Sequence, residues 1–280
     1  GECYLEYHRG TYTSHGDLKA AFRALERPLQ VREAVAAARG EAPDLTAVWR
    51  RLVFAQFHDY IPGSSVAETY AEAVPELQRL SQELGRATQT CLASGRGGLQ
   101  LFNPLALPWS GWVTLPGRKR PRWMELPPLA SRPATDAPAP PAGVECRGRT
   151  LRNGRVQATF ASDGALQTLV IDGRKLELDG RAALPVLYPD RPSNYDAWDI
   201  DRHSLALGQP VTTAVRFRRE PTPPDRAVFA FTRKLGRAST LTLRHELRAG
   251  EAVLRITAEV DWHEAHTLLR LHFPTRYRGR

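Results

Sequence analysis

The chain has 280 residues, of which 42% are hydrophobic and 25% charged, with a formal net charge of +9. These values are typical of a folded globular protein that is long enough for two modest domains. No apolar run approaches the roughly 18 residues of a membrane span, and no signal-peptide pattern opens the sequence, so we expect no membrane association.

The cysteines indicate the redox compartment, and the basic residues bear on the kind of partner that the chain could bind. Cys3, Cys91 and Cys146 lie far apart, which argues against a disulfide framework or a cysteine zinc site and predicts a reducing, cytoplasmic compartment. The basic residues are mostly arginines scattered along the part of the chain after residue 98. They indicate either an anionic partner or a solvated surface, and their scatter favours the surface, so we predict no nucleic-acid partner.

The N-terminal third predicts an extended segment followed by a helix. Alternating and β-forming residues predict extended structure over residues 1–14. Ser14 and Asp17 are suitable caps for a helix over residues 17–39, and Gly40 is a suitable end. Pro28 is expected to kink or divide this helix.

Two more helices complete a predicted bundle over residues 15–97. The second spans residues 44–58 with Asp44 as N-cap, and its apolar stripe comprises Leu45, Val48, Trp49 and Leu52. The third runs to about residue 93 from a capping box of Ser65 and Glu68, and Pro75 is a point of possible bending. Short connections between three helices favour an antiparallel bundle.

After residue 98 the apolar period changes to that of strands. A Pro/Ala-rich stretch at 130–143 predicts an extended or disordered loop. Hairpin turns are predicted at Asn153-Gly154, Asp163-Gly164 and Asp172-Gly173. A late strand places one set of residues on one face, namely Leu254, Ile256, Ala258, Val260 and Trp262. We therefore predict an antiparallel β-sandwich over residues 98–280.

Three stretches, taken together, resemble one family. The sequence "ECYLEYHRGTYTS" at 2–14 is similar to the E-L-Y-L-E-x-H-x-G-T-Y-T-[ST] segment of glycoside hydrolase family 38 α-mannosidases. "QFHDYIPGSSV" at 56–66 resembles their Q-x-H-D-x-x-x-G-[ST] segment, and "DRPSNYDAWDID" at 190–201 resembles their [ED]-x-P-x-x-W-D-A-W-D segment. The order and approximate spacing agree as well. The P-G-S-S and Y-D-A-W-D forms look more like the cytosolic and bacterial branch.

The resemblance implies a multidomain α+β architecture. Residues 1–14 would be the end of a catalytic α/β barrel, residues 15–97 the three-helix bundle, and residues 98–280 a β-sandwich of the galactose mutarotase-like type. Because the family has more chain on both sides, the resemblance also implies a fragment that lacks most of the barrel and is truncated at its C-terminus.

The resemblance also implies a chemistry. Family members cleave terminal α-mannosyl residues of oligosaccharides with retention, using a nucleophile, an acid/base and a zinc ion held by two Asp and two His. His58 matches one zinc ligand, and Asp59 matches a residue that hydrogen-bonds the bound mannose. The catalytic pair and the other ligands match nothing here, so no catalytic residue is predicted in this chain and the chain alone is expected to be inactive.

Reasoning from the residues alone gives His58 a plainer role. A lone histidine near a helix end is usually a structural or C-capping residue. Helical geometry would also turn Asp59 about 100° away from His58. "HEAH" at 263–266 lacks the H-E-x-x-H spacing of a metal motif and is predicted to be a polar turn.

Further sugar-binding candidates lie in the outer two motifs. His8 and Tyr12 are expected at the rim of the site, and simple strand packing is an equal alternative. The loop at 190–201 offers aromatic faces and carboxylates, namely Tyr195, Asp196, Trp198 and Asp199. A buried turn in which Trp198 only packs is an equal alternative.

Two other functions stay open from the sequence. The chain would also suit a non-catalytic carbohydrate-binding sandwich, and binding of nucleic acid through the arginines is the less favoured alternative. A homo-oligomer is possible. The leading prediction is a partner that is a mannose-containing oligosaccharide, with zinc as the cofactor of the full-length enzyme.

Overall fold

A computed structural model describes residues 8–93 and 98–276, and of Ala93 only the backbone. The contacts divide the chain into two compact units. The first comprises the described residues up to Trp109 together with Leu126–Asp136 and Pro192–Asp201. The second comprises Ser110–Glu125, Ala137–Arg191 and the described residues from Arg202 onward. The predicted domain boundaries after residues 14 and 97 stay a prediction.

Three helices build the first unit, α1 (Gly16–Arg39), α2 (Thr46–Phe54) and α3 (Ala67–Ala93). The Ser81 hydroxyl donates to the Ala24 carbonyl at 2.7 Å, and Arg32 contacts Cys91 at 3.6 Å, so α1 and α3 run in the same direction. Along the chain, the short α2 follows α1 and contacts it where the Trp49 indole donates to Glu33 at 2.7 Å. Three helices joined by short connections agree with the predicted bundle. Its core contains Leu18, Ala21, Phe22, Leu25, Leu29, Leu52, Ala55, Tyr70, Ala73, Leu77 and Leu84.

Two of the predicted helix signals act as expected. Gly40 adopts the left-handed conformation with φ 66°, and its N–H bonds the carbonyl oxygens at the end of α1, as a C-terminal glycine does. The Asp44 carboxylate accepts the Thr46 N–H at 2.9 Å, as expected at a helix start, and this hydrogen bond lowers the pKa of Asp44; the cap position itself is Leu45, one residue later than predicted. Pro28 does not divide α1, which is continuous from Gly16 to Arg39.

Two other predicted caps are wrong. The residue before α1 is His15, in the left-handed conformation, and no side chain of the described residues caps it, so Ser14 and Asp17 do not have that role. Before α3, the Ser65 N–H donates to the Tyr70 hydroxyl at 2.7 Å. The predicted capping box with Glu68 requires that same N–H, and the hydroxyl of Tyr70, five residues along the chain, accepts it instead.

Sixteen strands and one short helix, α4 (Arg202–Ala206), are found in the described residues after α3. The strands are β1 (Gln100–Phe102), β2 (Trp109–Val113), β3 (Arg122–Leu126), β4 (Ser131–Pro133), β5 (Glu145–Arg147), β6 (Thr150–Arg152), β7 (Val156–Phe160), β8 (Leu166–Ile171), β9 (Arg174–Lys175), β10 (Leu184–Pro189), β11 (Gln209–Pro210), β12 (Arg218–Arg219), β13 (Arg226–Leu235), β14 (Ser239–Arg248), β15 (Leu254–Asp261) and β16 (Thr267–His272).

The second unit is built around two antiparallel sheets. One has the order β5-β6-β7-β8-β9 and the other β12-β13-β14-β15, while β10 pairs with β11 and β16 in a smaller sheet. Side chains from both large sheets share one core, in which Phe160 of β7 meets Phe229 of β13 at 5.9 Å between ring centroids. This arrangement confirms the predicted α+β class with an antiparallel β region.

Turn chemistry in the five-stranded sheet follows the sequence. Asp172 and Gly173 both have positive φ, 48° and 77°, and they join β8 to β9, as an Asp-Gly hairpin requires. Asn153-Gly154 and Asp163-Gly164 likewise lie between strands. The stretch predicted as a loop at 130–143 differs at its start, where β4 pairs with β1.

No helix among the described residues is long and apolar enough to cross a membrane.

Candidate functional site

His58 lies in a turn beyond the end of α2. We expected the helix to continue to residue 58, but it ends at Phe54. The N–H groups of Gln56 and Phe57 bond carbonyl oxygens only three residues back, each at 3.0 Å, so the chain winds more tightly there and leaves the α-helical path. His58 and Asp59 are therefore carried by a compact turn.

The His58 and Asp59 side chains point the same way. Nε2 of His58 is 3.4 Å from Oδ2 of Asp59, and the two side chains are 69% and 50% exposed. The expected separation of about 100° assumed helical geometry, which neither residue has, because α2 ends at Phe54. The Phe57 ring lies beside the imidazole, with ring centroids 4.2 Å apart. An imidazole and a carboxylate are thus presented together to solvent.

The first motif is a turn, where we expected an extended segment. The hydroxyl of Thr11 donates to the His8 carbonyl at 2.7 Å, and the hydroxyl of Thr13 donates to the Gly10 carbonyl at 2.9 Å. Threonine hydroxyls that bond backbone three residues back stabilise turns, which explains why these β-forming residues are not in a strand. Residues 1–7, also predicted to be extended, lie outside the described residues.

The third motif packs directly on the first. The Gly10 N–H donates to the Trp198 carbonyl at 2.9 Å, and Arg9 lies 3.6 Å from a carboxylate oxygen of Asp199 while donating to the Ile200 carbonyl at 3.0 Å. A Cβ at Gly10 would lie 3.2 Å from the Asp199 backbone, so the close approach depends on glycine. The loop at 192–201 is fixed against residues 8–10.

The first motif also contacts the turn that carries His58. The position of a Cβ at Gly63 is 2.8 Å from the Cβ of Ser14, and the His15 ring stacks on the Tyr70 ring at 3.7 Å between centroids. Tyr70 in turn donates to the carbonyl oxygen of Asp59 at 3.1 Å. Residues 8–15 therefore contact both of the other motifs within one unit.

The predicted sugar-binding residues differ in how they are presented. Tyr12 is 79% exposed, and Tyr195 is 72% exposed with a positive φ of 55°. Asp196 is also exposed. His8 is partly buried edge-on to Trp198 at 5.0 Å, and its Nδ1 is buried without a hydrogen-bond partner among the described residues. Their roles in sugar binding stay predictions.

The described residues do not form a metal site by themselves. They contain no group of three or more His, Cys, Asp or Glu side chains that could hold a metal ion. The "HEAH" stretch lies between β15 and β16 as predicted. There the Glu264 carboxylate accepts backbone N–H groups of residues 237–239, and these hydrogen bonds lower the pKa of Glu264. His58 is thus a single candidate ligand.

The sequence alone did not identify several residues that hold the motif segments in place. Arg9 donates a hydrogen bond to Ile200, about 190 residues away. From the sequence, Tyr70 is an ordinary residue of the third helix. No local pattern signals such contacts. The sole sequence hint is that both residues lie within or beside the family-like segments.

Comparison with known proteins settles the family. The profile described as "Alpha mannosidase middle domain" matches residues 6–94, and the profile described as "Glycosyl hydrolases family 38 C-terminal domain" matches residues 151–280. The chain belongs to glycoside hydrolase family 38. The helical unit and the β region correspond to these two named parts of the family.

Curated relatives agree along the whole of this family 38 chain. An alignment of 312 positions with Alpha-mannosidase 2C1 of Mus musculus gives 31% identity. An alignment of 311 positions with Alpha-mannosidase 2C1 of Homo sapiens gives 29% identity. Each alignment covers 100% of this chain and 30% of the relative, so the chain spans less than a third of their length.

A solved structure has the same fold. A glycosyl hydrolase family 38 protein from Enterococcus faecalis superposes with a TM-score of 0.64 at 12% identity, covering 95% of this chain and 45% of its own. At that identity the likeness concerns the fold alone.

Proposed function

We propose that this family 38 chain is part of a zinc-dependent α-mannosidase that hydrolyses terminal α-mannosyl residues of oligosaccharides with retention of configuration. One observation carries the proposal. Three motifs that are far apart in the sequence converge in one unit, where residues 8–15 contact both the His58 turn and the loop at 192–201. The relatives named α-mannosidases support the reaction class.

His58 is assigned as one zinc ligand. An exposed imidazole on a fixed turn suits zinc, and the Asp59 carboxylate 3.4 Å from Nε2 adds a second polar neighbour. A single histidine binds zinc weakly, and the described residues supply no cluster, so the proposal requires the other ligands to come from outside them. No catalytic step is assigned to the metal here.

Asp59, His8, Tyr12 and Asp196 are assigned to the sugar. A half-exposed carboxylate such as Asp59 accepts hydrogen bonds from sugar hydroxyls, and charge strengthens them. Tyr12 offers an exposed aromatic face with a polar end. Residues 8–10 contact residues 198–200. His8 belongs to the first of these two segments, and Asp196 lies just before the second in the sequence.

Retention requires two carboxyl groups about 5 Å apart, one as nucleophile and one as acid/base. No such pair is assigned among the described residues. We therefore expect the 280-residue chain, supplied with zinc, to leave p-nitrophenyl α-D-mannoside intact. Release of p-nitrophenol by the pure chain at a rate above that of a heat-inactivated sample would show this expectation to be wrong.

The role of His58 is tested in the full-length protein encoded by the gene. We expect His58→Ala to lose bound zinc, measured by mass spectrometry of the metal, and to lose hydrolysis of the same substrate. His263→Ala is the matched control, because His263 is also an exposed histidine beside a carboxylate, 2.8 Å from Asp261. Full zinc content and activity in His58→Ala would refute the assignment.

A non-catalytic carbohydrate-binding role is the second candidate. The exposed rings of Tyr12 and Tyr195 favour it, since such rings stack on sugars. Calorimetry of the 280-residue chain with mannose separates the two. Millimolar binding that survives His58→Ala and is lost in Tyr195→Ala would favour simple binding over the mannosidase assignment.

A cytoplasmic setting is proposed from the sequence. The three cysteines lie far apart and form no C-x-x-C pattern, which favours a reducing, cytoplasmic compartment. A mannose-containing oligosaccharide is the proposed partner. The absence of a nucleic-acid partner and the possible homo-oligomer stay predictions.

A further inference from the structure

One tyrosine hydroxyl connects Asp59 with Ser65, the two ends of the turn over residues 59–65 that directly follows His58. The Tyr70 hydroxyl donates to the Asp59 carbonyl at 3.1 Å and accepts the Ser65 N–H at 2.7 Å. Tyr70 is only 4% exposed, and it lies in the first turn of α3, a long helix of the bundle. Its hydroxyl therefore ties both ends of the turn to a rigid element.

The middle of the turn is held from the other side. Lys19 of α1 donates to the carbonyl oxygens of Ser14 and, at 3.4 Å, of Pro62. Gly63 has φ 89° and lies so close to Ser14 that a Cβ would approach within 2.8 Å. These contacts limit movement of the turn toward α1. On the side of α3, the hydroxyls of Ser65 and Thr69 lie 3.0 Å apart, and the Tyr70 hydroxyl is the group that joins Asp59 to that helix.

We propose that Tyr70 is a positioning residue for His58 and Asp59. This inference rests on the proposed function, in which the His58 imidazole and the Asp59 carboxylate must meet zinc and sugar in a fixed geometry. Tyr70 touches neither partner and acts through the backbone of the turn. The stacked His15 ring, with centroids 3.7 Å apart, fixes the plane of the Tyr70 ring and hence the direction of its hydroxyl.

The chain offers a matched pair of variants. Tyr70→Phe removes the hydroxyl that bridges Asp59 and Ser65 and keeps the ring in the core. Tyr60→Phe removes a hydroxyl of the same cluster, which accepts a hydrogen bond from Arg51 at 2.8 Å and, among the described residues, bonds no backbone group of the turn. Each variant loses one tyrosine hydroxyl near the same turn, so a general loss of stability would affect both.

Amide exchange and the histidine signal are measured by NMR on the 280-residue chain. In Tyr70→Phe we expect exchange of the Ser65 amide to accelerate about tenfold, as loss of a buried hydrogen bond predicts. The chemical shifts of the His58 ring protons, which depend on the Phe57 ring at 4.2 Å between centroids, should change as well. Tyr60→Phe should change neither, and a role of Tyr70 only in the core would leave the His58 signal in place.

The inference is wrong if Ser65 exchange or the His58 signal is unchanged in Tyr70→Phe, or if Tyr60→Phe changes both equally. It is also wrong if Tyr70→Phe unfolds the helical unit, because the hydroxyl would then serve the whole bundle. These readouts need no metal and no substrate. Failure of the mannosidase proposal would appear in the zinc and hydrolysis measurements and would leave the amide data as they are.

Discussion

His245 gives the second unit a predictable sensitivity to acid. It is 0% exposed on β14, where it occupies a core position between Leu243 and Leu247 in the alternating pattern. The rings of Phe160 and Phe231 lie 4.6 Å and 6.0 Å from the imidazole, and neither ring nitrogen has a hydrogen-bond partner among the described residues. Burial lowers the pKa of His245 from 6.5 to about 4.

The sign and size of the effect follow from the two pKa values. Because the folded-state pKa is below the unfolded-state value, the unfolded chain takes up the proton first. The free energy of unfolding therefore falls as pH drops from about 6.5 to about 4, and this histidine adds nothing further below both values. A gap of about 2.5 pKa units corresponds to roughly 3 kcal/mol.

His245→Leu removes this dependence. The leucine matches its neighbours on β14, so we expect unchanged or higher stability at pH 7, since an unpaired buried polar group is lost. At pH 4 the variant should exceed the wild type by about 3 kcal/mol more than it does at pH 7. Urea titrations read by hydrogen exchange of peptides from Ser239–Arg248 report on this unit alone.

The control is His266→Leu, which changes an exposed histidine outside the core and should gain much less at pH 4 than His245→Leu does. Carboxylate titrations contribute equally to the wild type and to His245→Leu, because neither ring nitrogen of His245 bonds a carboxylate among the described residues, and they cancel in that comparison. If the difference in unfolding free energy between wild type and His245→Leu is the same at pH 7 and at pH 4, the imidazole does not titrate in the core and the reasoning fails.

Three further substitutions test the packing around the fold and the site. Asn153→Ala should cost about 3 kcal/mol in urea unfolding, since the buried amide makes four hydrogen bonds to backbone groups, and unchanged stability would contradict this. Gly164→Ala should lower the melting temperature strongly, because φ is 84° and the new Cβ would lie 2.4 Å from the Phe231 ring. Gly10→Ala should speed amide exchange in the loop at 192–201, whereas Gly16→Ala, which meets nothing within 4 Å, should not.

Local signals were enough for most of the fold. The ends set by Gly40 and Asp44 and the Asp172-Gly173 hairpin depend on the chemistry of one or two residues, and all three are as predicted, apart from the cap position at Asp44, which is one residue later. The strand β15 was predictable from its period of two, but its burial does not alternate: Leu254 and Ile256 are half-buried, whereas Ala258 and Val260 of the same predicted face are exposed. The order of the strands was not predictable, because pairing between distant strands leaves no local trace.

The failures have a local and a tertiary cause. Ser65 was expected to form a capping box, but the hydroxyl of Tyr70, five residues along the chain, accepts its N–H. The threonine-rich first motif was expected to be extended, but the Thr11 and Thr13 hydroxyls bond carbonyl oxygens three residues back and stabilise a turn. Contacts of Arg9 and Gly10 with the loop at 192–201 add a tertiary term, which neither propensity nor spacing encodes.

The contacts around His58 bear on the choice between its two interpretations. Ordering a surface turn costs conformational entropy, and a helix-end residue without a task needs no such order. Here an exposed imidazole and a half-exposed carboxylate lie on a backbone that Tyr70 and Lys19 fix through buried or partly buried polar groups. Rigid backbone beneath exposed, chemically versatile side chains is what a binding site requires and a C-cap does not. That contrast favours the ligand role of His58, and the Tyr70→Phe experiment measures the rigidity on which it depends.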